Sequence, residues 1–367
     1  MSMISISDPR IWPGATAAKP YAATLHEHAA KSLAAATAAE ADVHDDAIVA
    51  ALRALIANRD GRMLTDVLES SPSAAFYRHV WRALARAEET IDQSALPVTV
   101  FAIPLVIVAG AEEGAVLDCV LPDADAVAAL LKAHGALRGN QTLALANALA
   151  SAETIDIAGF SRICAAGGME RFASQDIAPA PIAIESGDAR VHLRFIIGAA
   201  LAARGVDLVA ESGVGNWGLP LVRLLGRLLD KPGATVLTLP RAPKRLCVAL
   251  QHGRAAQREV AAQLFASNAI RTIRASVGEP AAAISAHHAF DAPAGGELRL
   301  SLSSVFDPRA AEGFRCPLYR ADQADDVAGM LTALLHDCRI SDVRIVPGVH
   351  PDRDSATGLR LPCSAAA

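Results

Sequence analysis

Apolar positions change rhythm several times along the chain, and each change predicts an element. Over residues 25–59 the spacing is helical, with Ile48, Leu52, Leu55 and Ile56 on one face and Gly61 placed as a C-cap. A second helix is signalled over 72–91. Ser71 is placed as its N-cap, Pro72 as its first residue, and Phe76, Val80, Leu84, Ala87 and Ile91 form its apolar stripe. Tyr77 and Trp81 lie beside that stripe, four apart; core packing explains them, and a partner-binding face is the alternative. Ahead of these helices, Pro9, Pro13, Gly14 and Pro20 make residues 1–24 read as an extended arm, pinned to the body by Trp12 and Tyr21.

The β-branched run at 98–108 reads as buried strand with a break at Pro104, and 115–121 as a second strand. Asp123 caps a helix that Gly135 ends, and 141–152 reads as another helix. Residues 153–190 are irregular and carry a soft domain boundary. A helix follows over 191–204, with a strand at its start as the alternative, and then a short strand at 206–210. The run LPLVRLLGRLLDK is a helix stopped by Pro232-Gly233, and 234–239 is a strand. In the last third, strands are expected at 246–251, 270–275, 297–303, 314–319 and 343–346, with helices at 254–268 and 323–337.

Together these elements predict a mixed α/β (α+β) protein. A helical segment (25–92) precedes an α/β region (93–190) and a second α/β domain (191–346). The latter closes with a ferredoxin-like β-α-β-β-α-β unit at 246–346, and 347–367 is an extended tail. Ala124, Asp125, Val127, Ala128 and Leu131 match Ala324, Asp325, Val327, Ala328 and Leu331. Internal duplication would produce this match, and so would convergent composition in an Ala-rich chain.

Composition narrows the class. The chain has 367 residues, 52% of them hydrophobic and 20% charged, which excludes a mostly disordered protein. Aromatics are 4%, so the core is built from aliphatic side chains. The net charge of −5 argues against nucleic-acid binding. Cys119, Cys164, Cys247, Cys316, Cys338 and Cys363 form no C-x-x-C pair, and five of the six lie in or near apolar segments, which suits reduced, buried thiols, so a cytoplasmic protein is expected. The N-terminus has no basic region followed by an apolar run, so a secretory signal is not expected. The apolar stretch 96–111 is shorter than the ~20 residues of a membrane helix and reads as buried strand; membrane association is the alternative.

One motif carries a mechanism. Gly213-Val214-Gly215-Asn216-Trp217-Gly218 fits G-x-G-x-x-G between a strand and a helix, where backbone N–H groups can meet a phosphate. Glu211 and Ser212 before the first glycine, and the bulk of Trp217, depart from the dinucleotide fingerprint. Where the fingerprint wants an acid after the next strand, this chain has Arg241, Lys244 and Arg245. Those cations suit a phosphate, an acidic partner or plain solvation.

Other chemistry is sparse. His26 and His28 fall on different helix faces, His287-His288 is expected in a loop, and His336 and Cys338 lie near a helix end. None has ligand spacing, and no metal is expected. Ser212 lacks a G-x-S-x-G setting, and Cys164 before Gly167-Gly168 reads as a buried thiol. The paired acids Asp45-Asp46, Glu88-Glu89, Glu112-Glu113 and Asp325-Asp326 suit solvated faces and helix starts. The polar run HPDRD at 350–354 suits a solvated tail. The resulting expectation is a non-catalytic assembly or adaptor subunit with no cofactor, acting on a protein partner or a second copy of itself. The alternative is an enzyme or sensor that binds a nucleotide or other phosphorylated ligand through Gly213, Gly215, Asn216 and Gly218, with Arg241, Lys244 and Arg245 neutralising its charge.

Overall fold

The computed structural model describes residues 19–88, 98–121, 123–137, 142–156, 177–201, 213–276, 278–289, 295–306 and 311–350, with positions 159, 160, 163 and 172. Expectations for Trp12, Ile91, Cys164, Gly167-Gly168, the 206–210 strand, Ser212 and the tail beyond 350 lie outside these residues. The protein is mixed α/β. It divides into a larger unit (19–71 and 78–257 of the described residues) and a C-terminal unit (72–77 and 258–350).

The larger unit opens with three helices, α1 (Pro20–Ala34), α2 (Ala38–Ala57) and α3 (Gly61–Glu69). α1 starts inside the stretch expected to be extended, because proline is tolerated in a first helical turn. The Tyr21 hydroxyl donates to Ala51 C=O at 3.2 Å and ties α1 to α2. Gly61 does not cap α2. Arg59 takes the left-handed turn there (φ 57°), and the Asp60 carboxylate accepts Met63 N–H at 2.9 Å to start α3. α4 (Ala74–Glu88) begins two residues later than expected, since Ser71 donates its hydroxyl to Val67 C=O and Ser73 takes the capping position.

The central sheet of this unit holds β1 (Val98–Ala111), β3 (Thr142–Ala150), β5 (Arg190–Leu201) and β6 (Ala234–Pro240) in the order β3-β5-β1-β6. Every neighbour is antiparallel, and β7 (Lys244–Arg245) also lies on β1. β2 (Ala115–Leu117) and β4 (Ile182–Ile184) form a separate ribbon. α5 (Ala124–Ala133) links β1 toward β3, and α6 (Gly218–Leu228) precedes β6. Setting aside the ribbon and the helical positions 159, 160, 163 and 172 between β3 and β5, β1-α5-β3-β5-α6-β6 is a split β-α-β-β-α-β, with β5 inserted between β1 and β3. The pattern expected of residues 246–346 is thus found in the middle of the chain.

Two expected helices are strands here. Their described residues are rich in Ala and Leu, good helix formers, yet 142–150 form β3 and 190–201 form β5, because pairing of β5 onto β1 and of β3 onto β5 decides the outcome. β5 alternates, with Ile196 and Ala200 in one core and Leu193, Phe195, Ile197 and Ala199 buried on the opposite face. The first core is completed by Phe101, Ile103, Leu105 and Ile107 of β1, Val127 and Leu131 of α5, and Leu221 and Leu225 of α6. Pro104 does not break β1. Arg241 N–H donates to Pro104 C=O at 2.8 Å, and a residue's N–H and C=O face the same antiparallel neighbour. The missing N–H therefore falls opposite Arg241, past the end of β6, and the ladder to β5 stays whole.

The long helix α7 (Leu246–Ser276, 31 residues) replaces the expected strand-helix-strand at 246–275. Short apolar runs such as LCVAL do not distinguish strand from helix. Over a longer window Ala262, Ala266, Ala269, Ile270 and Ile273 repeat at helical spacing, and all are buried. No proline interrupts the run. Gly253 lets the first part of α7 approach the sheet, since a Cβ there would lie 2.9 Å from the Phe195 ring.

The C-terminal unit packs the rest of α7 and α8 (Ala324–Asp337) on one face of a four-stranded sheet. Its strands are β8 (Pro280–His288), β9 (Gly296–Ser304), β10 (Ala311–Pro317) and β11 (Val343–His350), ordered β10-β9-β8-β11. β8, β9 and β10 form an antiparallel meander, and β11 returns through α8 to lie parallel to β8. The order α-β-β-β-α-β is a meander with one crossover, not the ferredoxin-like unit expected there. β8 was absent from that expectation because PAAAISAHH is short in large apolar residues, and β11 runs four residues further than expected, to His350. The two similar octads both lie on helices and bury Val127 and Leu131 in α5, Val327 and Leu331 in α8. They lead to different pairings: β3 is antiparallel to β5, β11 parallel to β8.

Candidate functional site

The 213–218 loop is a turn leading into α6. Gly218 N–H donates to Val214 C=O at 2.8 Å, Pro220 has no N–H, and Leu221 N–H donates to Trp217 C=O at 3.0 Å. Most donors that a phosphate cradle would draw from the first turn are thus taken or missing. Trp217 is wholly buried and joins the core beside Leu221 and Leu225. Gly213 and Gly215 have open space where a Cβ would stand, and neither has a positive φ. Gly218 is different: a Cβ would meet Val214 Cγ1 at 2.5 Å. Asn216 is exposed.

That Cβ position also lies 3.8 Å from Pro240 Cγ, so the loop and the start of the basic run share one end of the sheet. Arg241 follows directly on β6, while Lys244 and Arg245 pair with Ala102 and Phe101 of β1. All three basic residues are half-buried. Burial, aided by Lys244, pulls the His252 pKa below its usual value. These cations therefore run along the sheet edge as part of its ladder.

Sequence reasoning missed a polar face on the C-terminal sheet. Ser285, His287, Glu297, Arg299 and Ser301 are all buried, on the side away from α7 and α8. Glu297 accepts Arg299 Nε–H at 2.6 Å and Arg315 Nε–H at 2.7 Å, one on each carboxylate oxygen. Ser285 Oγ and His287 Nε2 are 2.9 Å apart, and the His287 and His350 rings lie 5.3 Å apart. His287-His288 is therefore strand, not loop. The signal was the alternation of Leu298, Leu300 and Leu302 with Glu297, Arg299 and Ser301, which normally marks a solvated face. A serine beside a histidine is the pairing of an activated nucleophile, but the carboxylate opposite His287 is committed to two guanidinium groups.

In the helical segment, His79 Nε2 lies 3.0 Å from Asp45 Oδ1. His26 Nε2 lies 2.9 Å from Val67 C=O, and His28 Nδ1 lies 3.2 Å from His44 Nδ1. Among the described residues no group of three or more His, Cys, Asp or Glu side chains is arranged to hold a metal ion. Cys119, Cys247 and Cys316 are buried thiols outside any disulfide. Burial pushes the Cys119, Cys316 and Cys338 pKa values up, that of Cys316 to about 11, which keeps these sulfurs protonated and poor as nucleophiles. No helix among the described residues is long and apolar enough to cross a membrane. The described part of the apolar stretch is β1, an interior strand.

The edge of the central sheet at β6 is the feature best shaped to receive another molecule. Its sequence, ATVLTLP, carries no charge, and Thr235 and Leu237 are exposed. Beside them lies a shallow hollow of about 970 Å³, lined by Val108, Gly110, Gly187, Ala189, Thr235 and Leu237. Because Arg241 N–H points at β1, alternation turns the backbones of Leu239, Leu237 and Thr235 inward, and those of Thr238, Val236 and Ala234 outward. Ala234 N–H is used by Lys231 C=O at 3.2 Å. The N–H and C=O groups of Val236 face the edge, where no further strand pairs among the described residues, whereas Thr238 is buried there. Neither a family model, nor a curated protein, nor a solved structure matches the chain.

Proposed function

We propose that this protein is a non-catalytic assembly or adaptor subunit of the cytoplasm, and that it takes an extended protein segment onto the edge of β6. The observation that carries the reading is the uncharged strand ATVLTLP at a sheet edge, with half-exposed Leu237 beside the hollow. Natural edge strands are blunted by lysines, bulges, internal prolines or a covering element, because their open groups recruit other strands. Over residues 234–239 β6 carries no charged or proline residue. Strand addition suits this edge: main-chain hydrogen bonds supply affinity and the hollow takes alternate side chains. The occluded donors of the 213–218 loop and the protonated, buried thiols add support for a binding role over a catalytic one.

A photo-crosslinking residue at position 237 tests the reading in living cells, with position 43 as control, since Val43 is the more exposed of the two at 67%. The expected result is a discrete protein adduct from 237, lost when Val236 is also replaced by proline, and none from 43. Equal labelling at both positions, or none at 237, overturns it.

A further inference from the structure

We infer that the segment docking at β6 is cationic: an extended stretch of a partner protein in which an apolar residue seats beside Leu237 and a nearby lysine or arginine meets Glu112. This rests on the reading of β6 as the docking edge and names the chemistry of its occupant. Backbone pairing does not choose a partner here. Thr238 is 3% exposed, so Val236 is left with the open main-chain groups at mid-strand, and its two hydrogen bonds fit any extended chain. Selection falls to side chains and charge. The opposite edge of the sheet, β3, is uncharged too, but its second half is taken. Leu121 N–H donates to Asn147 C=O at 2.7 Å, and Leu149 N–H to Cys119 C=O at 2.8 Å.

Charge distinguishes the surroundings of β6. Glu112, directly after β1, lines the hollow together with Val108, Gly110 and Leu237, and among the described residues no basic side chain lines it. Glu113 comes next, and Asp188 lies between Gly187 and Ala189, which both line the hollow. All three acids are exposed, and none has an ion-pair partner among the described residues. The neighbouring cations are engaged, Arg190 with Glu185 at 2.6 Å and Lys231 with Asp118 at 2.7 Å. Carboxylates beside an apolar hollow attract a basic segment and repel an acidic one, and an uncharged strand leaves them unanswered. The reach fits as well. Ala111 pairs with Ala234, so a chain on the free side of β6 lies two strand spacings, about 10 Å, from the backbone at Glu112. A lysine or arginine lays its apolar stem along the hollow and brings its charged end to the carboxylate. Leu237, 49% exposed, gives the apolar residue of the segment its seat.

Fluorescence anisotropy on the purified full chain tests the inference with two synthetic peptides, one alternating lysine and valine, the other glutamate and valine. The lysine probe is expected to bind and the glutamate probe is not. Combining Glu112→Gln, Glu113→Gln and Asp188→Asn is expected to weaken the lysine probe about tenfold. Asp42→Asn, Asp125→Asn and Glu312→Gln together remove three exposed acids elsewhere, so net charge is matched. That control is expected to stay within about twofold of the wild type, because distant charges are screened. Leu237→Lys is expected to abolish binding with an unchanged thermal melt. Failure of the wild type to bind the lysine probe, binding of the glutamate probe, or equal loss in the two triple variants overturns the inference. Crosslinking from position 237 separates it from the docking reading. A captured stretch with no nearby lysine or arginine, or one that is β6 of a second copy of this chain, removes the cationic occupant and leaves the docking edge standing. If nothing is captured, both fall.

Discussion

Arg299 lays its Nε–H on Glu297 Oε1 at 2.6 Å, with the two side chains only 2% and 1% exposed. Arg315 holds the other carboxylate oxygen at 2.7 Å from the neighbouring strand, so one acid stitches β9 to β10. Removing the carboxylate charge leaves buried guanidinium without the partner it was desolvated for. Glu297→Gln is expected to lower stability by about 3–5 kcal/mol, toward the lower figure because Arg315 is partly exposed. Denaturant unfolding reads this as a fall in midpoint with little change in slope. A loss below about 1 kcal/mol would mean that these residues behave as an ordinary surface pair.

Glycines in this chain do unlike jobs, and substitution separates them. A Cβ on Gly198 would meet the Phe101 ring at 2.5 Å and Leu145 Cδ2 at 2.6 Å, where β5 is flanked by β1 and β3. Gly198→Ala overpacks that core and is expected to cost about 1–3 kcal/mol. Gly213→Ala and Gly215→Ala meet open space and are expected to stay within about 0.5 kcal/mol. Parallel thermal melts check both. A large loss at Gly215 would show that this loop is held by groups other than those that set its turn.

The contrast marks what a sequence carries. Where capping chemistry and periodicity agree, as at Asp123 before α5 with Gly135 behind it, the helix is found as read. Where composition favoured helix but pairing partners lay far along the chain, as in β3 and β5, local reading failed, because the deciding contacts join residues such as Leu145 and Gly198. The reverse error made strands of both ends of α7, whose helical spacing emerges only over its full length. The candidate edge was half legible: 234–239 reads as strand, but its place at the sheet margin follows from strand order alone. The buried Glu297 network was illegible because alternation of polar and apolar residues reports which face a side chain takes, not what later covers that face.

Thiol reactivity follows burial. Cys316 is fully buried, and desolvation raises its pKa to about 11 despite the opposing pull of Arg258. At pH 8 only about one such thiol in a thousand is ionised at any moment, and access is a further barrier. Cys338, at the end of α8, is half-buried. Iodoacetamide on the native protein, followed by peptide mass mapping, is expected to label Cys338 well before Cys119, Cys247 and Cys316. Equal rates would show that the buried thiols are as accessible in the native protein as Cys338.

Acid is expected to weaken the larger unit through two histidines. Burial lowers the His192 pKa first, with Arg194 and Arg190 adding to it; burial and then Lys244 lower that of His252. His192 Nε2 is buried with no hydrogen-bond partner among the described residues, so a second proton there finds no acceptor. The folded state therefore holds fewer protons than the unfolded chain between the lowered values and the ordinary 6.5. Stability rises with pH wherever the unfolded state binds more protons, so it is lost as pH falls below 6.5 and levels off once both folded-state values are passed. Melting temperatures from pH 8 to 5 are expected to decline in the wild type below that point. In the His192→Gln, His252→Gln double variant the decline is expected to flatten until the carboxylates begin to titrate. An identical slope in both proteins would place the acid sensitivity elsewhere.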